Sequence, residues 1–210
     1  MLKGPTSSAI LPSVSQDPTA TLVVEPVHDV ALADAVSAVA QETFPLACPP
    51  HSSPADIAEH LANNLRPQDF RDYIDDPDAD VLIARPLPEG PILGYALVFH
   101  RDPTDDDVRA VITRRPVSEV SKMYVLPDHH ARGRSQSASR ALMTAAIDSA
   151  RARGRVQVWL GVNQENRRAQ RFYAKMGFHR VGVKTFSLNG SIEHDYVLAQ
   201  DLSSPALWLV

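Results

Sequence analysis

Residues 156–178 read VQVWLGVNQENRRAQRFYAKMGF, and the architecture is decided there. VQVWLGV is apolar on both of its alternating faces, the pattern of a strand covered on each side. Asn163, Gln164 and Glu165 interrupt the run, and Asn166 then stands where a helix start wants a side-chain acceptor. ENRRAQRFYAKMG reads as a helix that Gly177 stops. Phe172 and Tyr173 lie about two turns beyond Asn166, so the helix can present a phenol to a cleft.

The neighbouring segments extend the pattern. SQSASRALMTAAIDSARARG (135–154) is a second and longer helix, with serine at its start, an apolar stripe through Leu142, Met143, Ala146, Ile147 and Ala150, arginine in its last turn and Gly154 as its stop. VSEVSKMYVL (117–126) alternates as a strand. Its pattern puts Val120, Tyr124 and Leu126 on one face and Glu119, Ser121, Met123 and Val125 on the other. HRVGVKTFSLNG and SIEHDYVLAQDL form two strands around an Asn189-Gly190 turn, a strong hairpin signal. Toward the N-terminus, TLVVEPV reads as a strand. ALADAVSAVAQETF, ADIAEHLANNL behind Ser53-Pro54, and QDFRDYID after Pro67 read as helices. VLIAR (81–85) and ILGYALVFH (92–100) read as adjacent antiparallel strands. The charged segment 101–116, with its Asp105-Asp106-Asp107 triplet, reads as a surface excursion. The expected fold class is α/β (α+β): a mixed, mostly antiparallel central sheet of about seven strands flanked by helices.

Composition narrows the function. The chain has 210 residues, 44% hydrophobic and 22% charged, and a formal charge of −4. That suits one globular domain and disfavours a nucleic-acid partner, which calls for a basic excess. No apolar run approaches the roughly 20 residues of a membrane span and no leader is evident, so a cytoplasmic location is expected. A single cysteine, Cys48, reads as a structural thiol, and no His/Cys spacing suggests a metal site. Residues 20–202 form the expected domain. Residues 1–19 read as a flexible arm, and 203–210 as an apolar tail that docks on the domain or on a second subunit, giving a homodimer. Glycine is scarce, with 9 residues against 17 prolines.

Asn166, Ala169, Phe172, Tyr173, Gly177 and Phe178 fit N-x-x-A-x-x-F-Y-x-x-x-G-F. With its strand-loop-helix setting this resembles the second cofactor motif of the GNAT superfamily of acetyl-CoA-dependent N-acetyltransferases, and within it most resembles the bacterial polyamine-acetylating members. The resemblance implies an acetyltransferase that uses acetyl-CoA on a primary amine, a small amine or polyamine. It implies that Asn166 contacts the pantetheine arm, with Phe172 beside it, and that Tyr173 is the general acid for the departing thiolate. Met123, Tyr124 and Val125 correspond to the strand that holds acetyl carbonyl and pantetheine, the Val125 N–H taking the developing oxyanion.

The family's first motif, R/Q-x-x-G-x-G/A, holds pyrophosphate on unpaired amides at a helix start. Counting back from Leu142-Met143, its counterpart is Arg134, Ser135, Gln136, Ser137, Ala138 and Ser139, with serine at each glycine place. A second register uses His130 to Ser135, including Arg132 and Gly133. Arg132 and Arg134 can put positive charge on the phosphates, whereas each serine Cβ narrows the approach. Relatives carry a glutamate base on the preceding strand. The closest position here is Ser121, with Glu119 two residues back, so Glu119 is the candidate base. Phe44, Phe70, Tyr73 and the acids Asp69, Asp72, Asp75 and Asp76 are candidates for the acceptor cleft. A catalytically weak acyl-CoA-binding protein and a protein N-acetyltransferase are the rival readings.

Overall fold

A computed structural model describes residues 21–48, 52–86, 90–127, 137–188 and 191–202. The arm 1–19, the tail 203–210, the Asn189-Gly190 turn and Arg132, Gly133, Arg134, Ser135 and Gln136 therefore lie outside the described residues. The elements are β1 (Leu22–Pro26), a 3₁₀ turn (Val30–Leu32), α1 (Ala33–Ala47), α2 (Pro54–Asn64), α3 (Pro67–Asp75), β2 (Ala79–Pro86), β3 (Gly94–Phe99), α4 (Asp106–Val111), β4 (Val117–Val125), α5 (Ala138–Ala152), β5 (Gln157–Asn163), α6 (Arg167–Lys175), β6 (His179–Leu188) and β7 (Ser191–Asp201).

The strands make one seven-stranded sheet in the order β1-β2-β3-β4-β5-β7-β6. Every neighbouring pair is antiparallel except β4 and β5. That one parallel pair is spanned by α5, as a parallel crossover requires. This is the expected mixed, mostly antiparallel α/β sheet.

Helix ends follow local chemistry. Ser53 caps α2 by accepting from the Asp56 amide at 3.1 Å with Pro54 at the first helical position, and Ser137 caps α5 by accepting from the Arg140 amide at 3.2 Å. Both faces of the sheet are covered. On one, α5 buries Leu142, Met143, Ala146 and Ile147 against Val98, Val120, Val158 and Leu160, with Phe172 and Tyr173 of α6 at the margin. On the other, α1 and α3 pack Val36, Ala40 and Phe70 against Val81, Ile83, Tyr95 and Leu97.

The charged segment 101–116 is not merely a surface excursion. Asp105 caps α4, and Val108 and Ile112, both fully buried, pack on Val117, Trp159, Val197 and Ala199. The charges face water while one apolar stripe closes this corner of the sheet, a period that an acidic run hides.

Candidate active site

The site begins with an irregularity in β4. Val98 lies opposite Val120 and Leu97 opposite Lys122, so Ser121 is an extra residue, a β-bulge. The strict alternation expected for residues 117–126 is thereby corrected. Directly opposed residues share a face. Val120, Met123 and Val125 point to the α5 side, opposite Val98, Ala96 and Gly94, whereas Glu119, Lys122 and Tyr124 point to the α1–α3 side, opposite Phe99, Leu97 and Tyr95. Glu119 therefore shares a face with Tyr124, not with Met123 and Val125, and Ser121 is the bulged residue rather than its companion.

The bulge also bends β4 away from β5. The two strands pair only over Val117–Glu119 and Gln157–Trp159, and beyond that point they separate into a wedge. Within β4 the peptide groups alternate between edges. Leu126 donates to the Leu93 carbonyl at 2.8 Å, on the β3 side. The Val125 and Met123 peptides consequently turn to the opposite edge, into the wedge. Because β4 and β5 run parallel, their carboxyl ends open the wedge in the direction from which α5 and α6 start, as at ligand crevices of open α/β sheets. Ser137, Ala138 and Ser139 stand at the α5 end. The first amides of that helix have no intrahelical partner and carry the positive end of its dipole.

At the α6 end, the Asn166 side-chain oxygen accepts from the Ala169 amide at 3.0 Å, and its NH₂ makes no hydrogen bond among the described residues. Gly177 ends α6 at φ +93°, a conformation that a side chain would strain, and Phe178 anchors the turn in the core. Phe172 packs into the α5-side core and lies edge-on to Tyr173 at 5.4 Å between ring centroids. Tyr173 is half-buried, its hydroxyl has no hydrogen bond among the described residues, and burial pushes its pKa up to about 12. Tyr124, from the opposite face, is pushed up by burial and by the approach of Tyr173.

The α1–α3 side holds a cluster of titratable groups. Burial raises Glu119, opposed by the positive charges of Lys184, Lys122 and Arg101. Burial lowers Lys122, opposed by Glu119 and Asp69. The Lys122 ammonium lies 5.6 Å from the centre of the Tyr73 ring. His60 stacks on Phe44 at 4.2 Å and is lowered by burial and by Lys122. Phe44 in turn lies edge-on to Tyr124 at 6.4 Å. Of the expected acceptor residues, Phe44 and Tyr73 reach this cluster, but Phe70 is fully buried in the core. Asp69 is bound to Arg66 at 2.7 Å, Asp72 to Gln68 at 2.8 Å and Asp76 to Arg101 at 2.5 Å, so those acids are committed within the chain.

Lys122, His60 and Lys184 escape a reading of the sequence. The bulge puts Lys122 at an odd offset from Glu119, and the other two arrive from distant elements. Lys184 lies over Gly161, its Cε 2.8 Å from where an added Cβ would stand. Cys48 is half-buried, and its Sγ lies 3.4 Å from the Phe44 carbonyl.

A wedge with two unpaired strand edges, a helix start on each side and a phenol at its flank matches an extended thioester carrier with a phosphate end. Comparisons with known proteins agree. Residues 41–178 match the acetyltransferase (GNAT) family. The chain is 44% identical over 170 residues to uncharacterized N-acetyltransferases of Mycobacterium bovis and Mycobacterium tuberculosis, covering 81% of this chain and 97% of each relative. In fold it is similar to the PaiA N-acetyltransferase of Thermoplasma acidophilum in complex with coenzyme A, with TM-score 0.63, 15% identity and coverage of 86% of this chain and 99% of that one. It is also similar to YncA, a Salmonella typhimurium acetyltransferase with acetyl-CoA, with TM-score 0.59, 19% identity and coverage of 89% and 96%. The wedge, the helix that bears the tyrosine and these matches lead to one conclusion: the chain belongs to the acetyltransferase (GNAT) family and is an N-acetyltransferase.

Proposed function

We propose that the protein moves acetyl from acetyl-CoA to a small primary amine by direct attack, with Glu119 as proton acceptor and Tyr173 as proton donor. The observation that carries this reading is the wedge: its two edges lead from the α5 and α6 starts down to the strand that bears Glu119 and Tyr124. Acetyl-CoA, when bound, supplies the activated acetyl thioester. Of this chain's residues, the Met123 and Val125 peptides would hold the pantetheine arm as a strand partner would, and the Val125 N–H would take the acetyl oxygen. Asn166, with Phe172 packed behind, would contact the arm with its free NH₂. The Ser137, Ala138 and Ser139 backbone, with Arg132, Gly133, Arg134, Ser135 and Gln136, would take the phosphates.

Glu119, raised by burial, is a stronger base than an ordinary glutamate, and Tyr173, raised by burial, keeps its proton until a thiolate asks for it. A polyamine acceptor has weaker support, because Lys122 and Lys184 face the same side as Glu119 and repel a second ammonium.

The proposed unit of activity is residues 20–202, in the cytoplasm, the tail 203–210 being proposed to dock on that domain or on a second subunit. Among the described residues no helix is long and apolar enough to cross a membrane. Incubation with acetyl-CoA and an amine panel, following free thiol, tests the reaction. Release with at least one amine is expected, and acetyl-CoA at about 100 times its Kd should stabilise the fold by about 2.7 kcal/mol. At this chain length that is a rise in Tm of roughly 5–10 °C. Absence of both overturns the reading. A thermal shift without turnover favours the binding-protein alternative, and label in lysate protein favours a protein acceptor.

A further inference from the structure

The acceptor-side cluster contains two charged side chains that no hydrogen bond or close ion pair ties down among the described residues. Around it, Asp69 is held by Arg66 at 2.7 Å, Arg101 by Asp76 at 2.5 Å, and Lys184 faces Asp195 directly across the β6–β7 ladder. Glu119 and Lys122 are different. Both are set back from the surface, and among the described residues neither makes a hydrogen bond or an ion pair within 4.0 Å, the ammonium lying 5.6 Å from the centre of the Tyr73 ring. A carboxylate and an ammonium withdrawn from water are costly unless paired, and the cost is recovered when a ligand pairs them. The bulge at Ser121 puts them on one face, opposite Phe99 and Leu97, two ladder steps or about 7 Å apart along the strand.

Resting on the proposed acetyl transfer, we infer that the acceptor is a primary amine that also carries an anionic group, its amine meeting Glu119 and its carboxylate or phosphate meeting Lys122. His60, Tyr73 and Tyr124 flank the anionic end, Tyr124 being the next residue of that face beyond Lys122, away from Glu119. A diamine of the same length would set its second ammonium against Lys122, and a plain alkylamine would leave Lys122 without a partner. The pair thus selects for charge as well as for an amine.

The test measures kcat/KM by thiol release for 4-aminobutyrate, 3-aminopropyl phosphate, butylamine and 1,4-diaminobutane, with wild type, Lys122→Met and Lys122→Arg. The two anionic amines are expected to exceed butylamine and diaminobutane at least tenfold, and which of them is better separates carboxylate from phosphate. In Lys122→Met that preference should collapse by at least tenfold, chiefly through KM, and Lys122→Arg should restore most of it. Equal or better use of diaminobutane or butylamine, or a preference that survives Lys122→Met, overturns the inference.

If no amine releases thiol, the thermal shift of the coenzyme A-loaded protein decides between the same probes. A shift with 4-aminobutyrate or 3-aminopropyl phosphate but not with butylamine upholds the charge pairing while the transferase reading falls. No difference between them overturns the pairing.

Discussion

Glu119 and Tyr173 owe their suitability to opposite consequences of the same burial. Loss of water disfavours the charged form of each, which makes the carboxylate a stronger base and the phenol a more reluctant acid. Two outcomes follow. The acid limb of kcat/KM against pH should lie above the roughly 4.3 of an ordinary glutamate and should disappear in Glu119→Gln. The sign for stability is the reverse of a salt-bridged carboxylate. A raised folded pKa means that the folded state binds the proton more tightly, so the ionised Glu119 opposes folding above its ordinary pKa. Glu119→Gln should therefore be at least as stable as wild type in a thermal melt at neutral pH, while its kcat falls about 10²-fold or more. Tyr173→Phe should lower kcat about 10- to 100-fold with little change in the KM for acetyl-CoA, because the ring still packs on Phe172 and Phe178.

Strand β4 shows how one inserted residue builds a site. Deleting Ser121 would remove the bulge yet keep Lys122 and Tyr124 on the α1–α3 side and Met123 and Val125 on the α5 side, because Val120 and Lys122 already occupy opposite faces and would then simply alternate. Such a protein is expected to keep cooperative melting but to bind coenzyme A more weakly, because an unbulged β4 no longer bends away from β5, measured by circular dichroism and calorimetry. On the other flank, Asn166→Ala removes the cap of α6 and should cost about 1 kcal/mol along with weaker coenzyme A binding. The α6 cap and the Gly177 stop are local, and sequence spacing alone reveals them. The bulge is not local. Its signal is a mismatch between β3 and β4 that becomes visible only once the partner strand is known, which is why Glu119 was readable as a candidate and Lys122 was not.

A polar pin ties the sheet to α5 where β4 and β5 are still paired. The buried His100 ring lies 2.8 Å from Ser118 Oγ through Nδ1 and 3.0 Å from Asp80 Oδ2 through Nε2. Ser149 Oγ donates to the same Asp80 oxygen, and Arg153 donates to Asp80 Oδ1 at 2.7 Å. β2, β3, β4 and the end of α5 are thereby joined at one carboxylate. Burial works against the charge of Asp80, but the hydrogen bonds from His100 and Ser149 and the charge of Arg153 prevail and hold it well below the usual carboxylate range. A depressed folded pKa contributes stability that is present above the unfolded value near 3.9 and is lost as pH falls through the folded one. Asp80→Asn is expected to destabilise by about 2–4 kcal/mol at pH 7 and to flatten the acid side of the stability curve, read by urea titrations across pH. Acetyl transfer at permissive temperature should persist, since Asp80 lies outside the wedge.

What could be read from the chain without its fold is what depends on neighbours a few residues apart. The Asn166 cap, the Phe172-Tyr173 pair and the Gly177 stop declare the α6 motif, because helix geometry alone fixes their relation. The apolar periods of β2 to β5 and α5 likewise declare a sheet with helices on its faces. What required the tertiary structure is everything that two distant segments make between them. The wedge exists because β4 and β5 part after three paired positions, and the acceptor side exists because α1, α2 and α3 deliver Phe44, His60 and Tyr73 over a bulged strand. Charge compensation is of the same kind: Asp69 and Arg66 cancel locally, but that Glu119 and Lys122 remain unpaired is a property of the packed chain, since only packing decides which charges are withdrawn from water and which find a partner.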